Sequence, residues 1–149
     1  LSILIIQFIG IAGAYLMSFV SKKIGNFKAI GISIVIWILL CIYVYRFVWY
    51  PWQFYIAAAF VGMVMGGIQS LSRSTYSKLL PETKDLTSYF SFYDLAEKIG
   101  LAVGTLTFGI IEGMLDIRTS ILALVVFFML GLILLILIPK QQVSHETTN

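Results

Sequence analysis

Apolar residues in this chain form long blocks that short polar segments separate. Each block has roughly 18–25 residues, the length that an α-helix needs to cross a bilayer. The blocks lack the strict alternation of apolar and polar positions that a membrane β-barrel requires. We therefore predict an all-α membrane protein with five transmembrane helices. The predicted spans are about 1–21, 29–45, 52–72, 87–114 and 120–138.

The polar segments between the blocks carry residues that end membrane helices. Residues 22–28 form a basic turn, residues 46–51 combine an arginine with a proline, and residues 73–86 form a mixed-charge loop. Residues 139–149 are polar and uninterrupted by apolar runs, so we expect a short disordered tail there.

Composition narrows the class of protein further. Hydrophobic residues make up 60% of the chain, charged residues 11%, and the mean hydropathy is +0.97. Soluble domains are about 45–50% apolar and about 25% charged, which excludes a water-soluble globule. Cys41 is the single cysteine, and the single histidine, His145, lies in the tail. We therefore expect no disulfide, no metal site and no cofactor.

Positive residues are distributed unequally between the predicted loops, and this predicts the orientation of the chain. Arg46 and Arg118 fall on one side. The other side holds Lys22, Lys23, Lys28, Arg73, Lys78, Lys84 and Lys140. We expect the second side, and with it the C-terminus, to be cytoplasmic. The net charge of +3 is then explained by the membrane, with no nucleic-acid partner.

The chain starts at Leu1, inside an apolar block, and its first positive residues come after that block. A signal peptide has the opposite order, so we predict a membrane helix here. We also expect the chain to be the downstream part of a longer protein. Its partners would then be a missing N-terminal transmembrane half and the lipid bilayer.

Glycine pairs occur at helix-packing spacing in the third and fourth spans. Gly62 and Gly66 form one GxxxG pair, and Gly100 and Gly104 form another. Such pairs let two helix backbones approach closely within a bilayer. We interpret them as packing positions, with a glycine hinge in a moving helix as the alternative.

The fourth span contains three charged residues, Asp94, Glu97 and Lys98. One ionised group at the centre of a membrane helix costs about 2.5–3.5 kcal/mol. Asp94 and Lys98 are four positions apart and can pair on one face. Three hypotheses remain: the groups line a polar pathway, they form an assembly-only ion pair, or the helix starts near Leu95 and they cap its end.

The third span ends in a second polar cluster. Gln69 and Arg73 are four positions apart and share one helix face. They can face a cavity or close a cytoplasmic gate. Alternatively, Arg73 is a simple anchor at the cytoplasmic interface.

Several motifs follow one another between residues 66 and 109. They are Gly66-Gly67-Ile68-Gln69-Ser70-Leu71-Ser72-Arg73-Ser74, then Leu80-Pro81, then Phe90-Ser91-Phe92-Tyr93-Asp94 with Lys98, Gly104 and Phe108-Gly109. This series resembles the major facilitator superfamily, and within it the branch of autophagy-linked vacuolar amino-acid effluxers and their bacterial relatives. By that resemblance, the five spans correspond to the last five helices of a twelve-helix bundle.

The turn at residues 22–28 also resembles the basic cytoplasmic loop of that superfamily, with Lys23, Gly25 and Lys28 in place. Lys22 departs from the pattern, which usually has an aspartate there. Glu97 departs too, because the family pattern has a small residue at that position. Glu97 is then either a coupling carboxylate or a tolerated charge at a helix end.

The resemblance implies a secondary active transporter that works by alternating access. Its substrate would be a neutral amino acid or a similar small polar solute, exchanged for protons or ions. We assign coupling or gating to Asp94 and Lys98, with Glu97 on the same pathway, and hydrogen bonding to Gln69. Arg73, Lys23 and Lys28 would form the cytoplasmic gate, and a bacterial cell membrane is the expected location.

A different class of function is a non-transporting five-helix assembly or scaffold subunit, which binds a partner through its glycine faces. An enzyme is not expected. The chain has no Ser/His/Asp set, no cluster of metal ligands and no glycine-rich loop of the kind that binds phosphate.

Overall fold

A computed structural model describes residues 2–80 and 85–138 of the chain, and both ranges are helical. The helices are α1 (Ser2–Ile24), α2 (Asn26–Phe47), α3 (Pro51–Leu79), α4 (Leu86–Met114) and α5 (Ile117–Leu137). The all-helical architecture therefore agrees with the prediction. The expectations for Lys84, Lys140, His145 and the tail lie outside the described residues.

Three of the helices are long and apolar enough to cross a membrane. They are α2, α3 and α5, with 22, 29 and 21 residues, against the roughly 20 that a bilayer requires. Large apolar side chains such as Phe8 and Ile136 are 73% exposed on the outside of the bundle, where lipid can solvate them. This is the surface of an integral membrane protein. That all five helices span the bilayer stays a prediction.

The connection between α1 and α2 is a single residue, Gly25. Its φ of 88° lies in the left-handed region, which glycine adopts without strain. The sequence predicts a longer polar turn over residues 22–28, but the lysines on both sides of Gly25 belong to helix ends. α1 and α2 are therefore joined by a tight turn.

The third helix extends beyond its predicted span. The sequence predicts a loop from Arg73, whereas α3 continues to Leu79. Two of its hydroxyl side chains bond within the helix: Thr75 donates to the Leu71 carbonyl at 2.7 Å, and Ser77 donates to the Ser74 carbonyl at 2.8 Å. Such back-bonding lets polar residues remain helical.

The closest packing in the bundle is between α1 and α3. A Cβ on Gly62 would lie 2.6 Å from the carbonyl oxygen of Ile6, and a Cβ on Gly66 would overlap the backbone of Gly10. A step of four residues on one helix matches a step of four on the other, so the two helices run parallel. Their backbones touch, which only glycine permits.

The core lies where α2 covers this α1–α3 pair. It is formed by Met17, Ala29, Ile30, Ile34 and Leu71, all less than 9% exposed. α5 packs on α2 and against this core, where Trp37 and Phe128 stack with ring centres 5.2 Å apart. α4 lies along α5, and none of its residues is buried.

One arginine joins α2 to α5. Arg118 donates to the carbonyl oxygens of Tyr45 at 2.5 Å and Val48 at 2.8 Å, and its guanidinium lies 4.0 Å from the ring centre of Trp49. These carbonyls are at the C-terminus of α2, where the helix leaves acceptors unpaired. The sequence predicts only that Arg118 lies on the non-cytoplasmic side. The structure shows that it also binds the C-terminus of α2.

Asp116 caps the start of α5. Its carboxylate accepts hydrogen bonds from the Thr119 hydroxyl and from the backbone N–H groups of Thr119 and Arg118. The Thr119 hydroxyl is the main cause that lowers the pKa of Asp116 below its ordinary value. The cap therefore contributes to stability above the ordinary carboxyl pKa, and the contribution is lost as the pH falls through the lowered pKa.

Glycine packing makes the first testable prediction. Gly66→Ala should destabilise the full-length protein by about 1–3 kcal/mol, because the added methyl meets facing backbone that cannot move aside. Gly131→Ala on α5 is the matched control, since its Cβ position has no other helix within 4 Å in the described part of the chain. Thermal melting in detergent measures both. A Gly66→Ala variant that melts no lower than Gly131→Ala would contradict the packing.

Candidate functional site

An open cavity of about 690 Å³ lies between α3 and α4. It sits at the end of the bundle that also holds the α1–α2 turn, which we call the basic end because Lys22, Lys23, Lys28, Arg73 and Lys78 cluster there. The cavity is lined by Gln69, Ser70, Arg73, Ser74, Ser77, Phe90, Tyr93 and Glu97. Both helices therefore contribute polar groups to one cleft.

The charged centre of this cleft is Arg73. Its Nη2 lies 2.7 Å from Oδ1 of Asp94 and 3.9 Å from Oε2 of Glu97. The side chains are 59%, 47% and 48% exposed. An ion pair this open to solvent contributes only about 0–1 kcal/mol. The contact joins α3 to α4 in a way that is easily broken.

Aromatic side chains surround the ion cluster. The Tyr76 hydroxyl donates to the Tyr89 carbonyl at 2.8 Å, and its ring centre lies 4.9 Å from that of Tyr93. The Arg73 guanidinium lies 5.7 Å from the Tyr93 ring centre. Our sequence reasoning gave Tyr76 and Tyr93 no role. Tyr76 follows Arg73 by three positions and so shares its helix face, a signal that could have identified it.

The expected Asp94–Lys98 pair does not form. Asp94 pairs across the cleft with Arg73, which presents several N–H donors and reaches both carboxylates. Lys98 has an exposed side chain and makes no ion pair within the described residues. The spacing of four positions predicts Lys98, on the same helix, as the partner of Asp94. In the structure, Arg73 of α3 is the partner instead.

The capping hypothesis for these charges is wrong. α4 begins at Leu86 with Asp85 as its N-cap, so Asp94 lies more than two turns inside the helix. Glu97 lies one turn further along and is not at a helix end either. Both carboxylates therefore project from the body of α4 toward Arg73.

Gln69 lies at the junction of two cavities. With Ser70 it lines the α3–α4 cleft and also a second open cavity of about 570 Å³ between α1 and α3. Gln7 of α1 lines the second cavity, over a floor that includes Gly10, Gly62 and Gly66. The sequence analysis missed Gln7, although a lone amide within an apolar block is itself a signal of helix contact or cavity lining.

The two lysines proposed for the gate do not join the Arg73 cluster. The Asn26 side chain donates to Ser74 at 3.4 Å, which holds the α1–α2 turn beside α3. Lys23 Nζ lies 4.7 Å from the ring centre of Phe19, and Lys28 has an exposed side chain. Neither lysine makes an ion pair with any residue in 2–80 or 85–138.

The two glycine pairs differ in their surroundings. Gly62 and Gly66 lie in the α1–α3 contact, whereas Cβ positions at Gly100 and Gly104 have nothing within 4 Å in the described part of the chain. Packing through Gly100 and Gly104 stays a prediction. In the same part of the chain, no three His, Cys, Asp or Glu side chains lie close enough to hold a metal ion.

Several curated proteins are similar to this chain. The uncharacterized MFS-type transporter YxiO of Bacillus subtilis is 31% identical over 111 residues, which is 74% of this chain and 26% of YxiO. Autophagy-related protein 22 of Eremothecium gossypii is 39% identical over 62 residues, which is 42% of this chain and 12% of the relative. Autophagy-related protein 22 of Yarrowia lipolytica is 29% identical over 97 residues, or 64% and 16%.

The chain thus spans about a quarter or less of the length of these relatives. No solved structure matches it. The sequence profile described as "Vacuole effluxer Atg22 like" matches residues 1–148, nearly the whole chain. The resemblance to the vacuolar effluxer branch of the major facilitator superfamily is therefore confirmed, and this chain belongs to the Atg22-like vacuole effluxer family.

Proposed function

We propose that this chain is the C-terminal part of a secondary active transporter that moves a small polar solute across a membrane by alternating access. Membership of an effluxer family supports transport, and it indicates a non-enzymatic role. The observation that carries the proposal is the Arg73–Asp94–Glu97 cluster between α3 and α4. It is an openable contact beside a polar cavity, which is the arrangement that a gate requires.

Helix lengths support a position for this cluster near one membrane surface. Arg73 follows Trp52 by 21 positions, about 31 Å along a helix. Trp49, Tyr50 and Trp52 mark what we call the aromatic end, and such residues favour the headgroup level. The hydrocarbon core is about 30 Å thick. The cluster then lies at the opposite interface, with Gln69 one turn deeper.

The proposed gate works by exchanging partners. When α3 and α4 are held together by Arg73, the cleft between them is restricted at the basic end. Two carboxylates face one guanidinium, so the cluster carries one excess negative charge that a proton or a cation can neutralise. Binding of that ion changes how strongly Arg73 is held, which couples an ion to the movement of α4.

The remaining parts of the proposal follow from the family resemblance and from the charge distribution. Neutral amino acids are the proposed solutes, and an N-terminal set of helices completes the cavity. The basic end faces the cytoplasm, together with the C-terminus, under the positive-inside rule. A bacterial cell membrane is the proposed location.

The test of transport uses the full-length protein in liposomes loaded with a mixture of twenty labelled L-amino acids. Release of label that depends on the protein and on an ion gradient supports the proposal. A scaffold subunit predicts no flux of any amino acid under any gradient, and that result would overturn the proposal.

The ion cluster can be tested by charge exchange. Arg73→Asp and Asp94→Arg should each lower the transport rate by about tenfold or more, because each leaves like charges facing one another across the cleft. The double variant should regain most of the rate, because the pair is restored with its charges exchanged. Initial rates in liposomes measure this.

Arg46→Asp, at the aromatic end, is the control for a change of arginine to aspartate away from the cleft. It should not be rescued by Asp94→Arg. A double Arg73→Asp/Asp94→Arg variant as slow as its slower single variant would show that the pair itself does not matter.

Coupling to protons gives a separate prediction. Asp94→Asn should make transport independent of an imposed pH gradient, because the neutral amide cannot take up a proton. Glu112→Gln, which removes a carboxylate near the far end of α4, should retain the dependence. Comparison of flux with and without the gradient measures the effect. An unchanged response in Asp94→Asn would remove this residue from coupling.

A further inference from the structure

The α1–α3 cavity contains two amide side chains that the ion cluster does not use. Gln7 and Gln69 both line it, and neither makes a hydrogen bond to another described residue. Its volume of about 570 Å³ is within the range of about 300–1,000 Å³ that small-molecule sites have.

Gln7 lies halfway between the two ends of the bundle. The neighbouring residue Ile6 faces Gly62, which follows Trp52 by 10 positions and precedes Arg73 by 11. Each interval is about 15–16 Å along the helix. Secondary transporters hold their solute near this depth, between helices that line a cavity.

Glycines form the floor of the cavity beside Gln7. The α1 and α3 backbones touch at Gly62 and Gly66, so these positions contribute no side chain to the cavity. Among the described residues of the wall, the polar side chains are those of Gln7, Gln69 and Ser70. None of these side chains carries a charge.

We propose that Gln7 and Gln69 bind the transported solute in this cavity and select a net-neutral zwitterion. An amide offers both an N–H donor and a carbonyl acceptor. A pair of amides can therefore serve the carboxylate and the ammonium group of one amino acid. A solute with net charge finds no opposite charge on this wall, and its desolvation is uncompensated.

The cavity also connects to the gate. Gln69 and Ser70 line both cavities, so a solute released by Gln7 meets the α3–α4 cleft one turn before Arg73. Binding and gating are then separate tasks on neighbouring parts of α3. This inference rests on the proposed transport function and assigns its binding residues.

The experiment uses the full-length protein in liposomes and compares uptake of labelled serine, leucine, lysine and glutamate. Gln7→Met removes the amide at similar length and should raise KM for the neutral solutes by about tenfold, as expected for the loss of one good hydrogen bond. The maximal rate should change less than twofold, because the ion cluster is untouched.

Gln7→Glu tests solute selectivity, which would not change if Gln7 had only a structural role. The new carboxylate should raise the ratio of lysine to serine uptake by about tenfold. Phe8→Met, at the next position of α1 with a side chain outside this cavity, is the control and should keep the wild-type ratio. Thermal melting confirms that each variant is folded, and Gln7→Asn replaces any variant that is not.

The outcomes separate this inference from transport itself. Absence of flux in the wild-type protein overturns both. Wild-type flux of neutral amino acids with unchanged KM in Gln7→Met overturns the inference alone. So does a lower melting temperature with unchanged KM and selectivity, because it makes Gln7 a contact between helices. Preference of the wild type for lysine or glutamate also overturns it.

Discussion

The backbone contact between α1 and α3 is the interaction on which the position of α3 and the shape of the α1–α3 cavity depend. Two parallel helices touch at Gly10, Gly62 and Gly66, and no larger residue fits at Gly62 or Gly66. Lipid provides no hydrophobic force between helices, so close van der Waals contact is what stabilises them. That contact determines which residues of α3 lie beside Gln7. Further along α3, Gln69 and Arg73 face α4.

Much of the fold could be predicted from the sequence, because the bilayer imposes a single length on its helices. Five apolar blocks predicted five helices, and all five are present in the described residues. The predicted ends of the helices were less accurate. Polar residues such as Thr75 and Ser77 were interpreted as loop, yet each donates to a carbonyl in its own helix. Polar side chains therefore do not indicate where a long helix ends once it has left the hydrocarbon core.

The site was harder to predict because its partners are distant in sequence. Spacing identified Asp94 and Lys98 as neighbours on α4, but it has no information about α3, which brings Arg73 to 2.7 Å from Asp94. Gln7 was missed for the same reason, since its importance appears only when α1 lies against α3. The motifs that carry the family resemblance lie on α3 and α4, which form the cleft, but the sequence does not show which of their side chains meet.

The two arginines that join helices at opposite ends differ in their acceptors. Arg118 binds neutral backbone carbonyls, which neither titrate nor attract counterions. Arg73 binds exposed carboxylates, and an ion pair that is open to solvent is weakened by salt. High salt therefore weakens the contact between α3 and α4 at the basic end, whereas the contact between α2 and α5 at the aromatic end is kept.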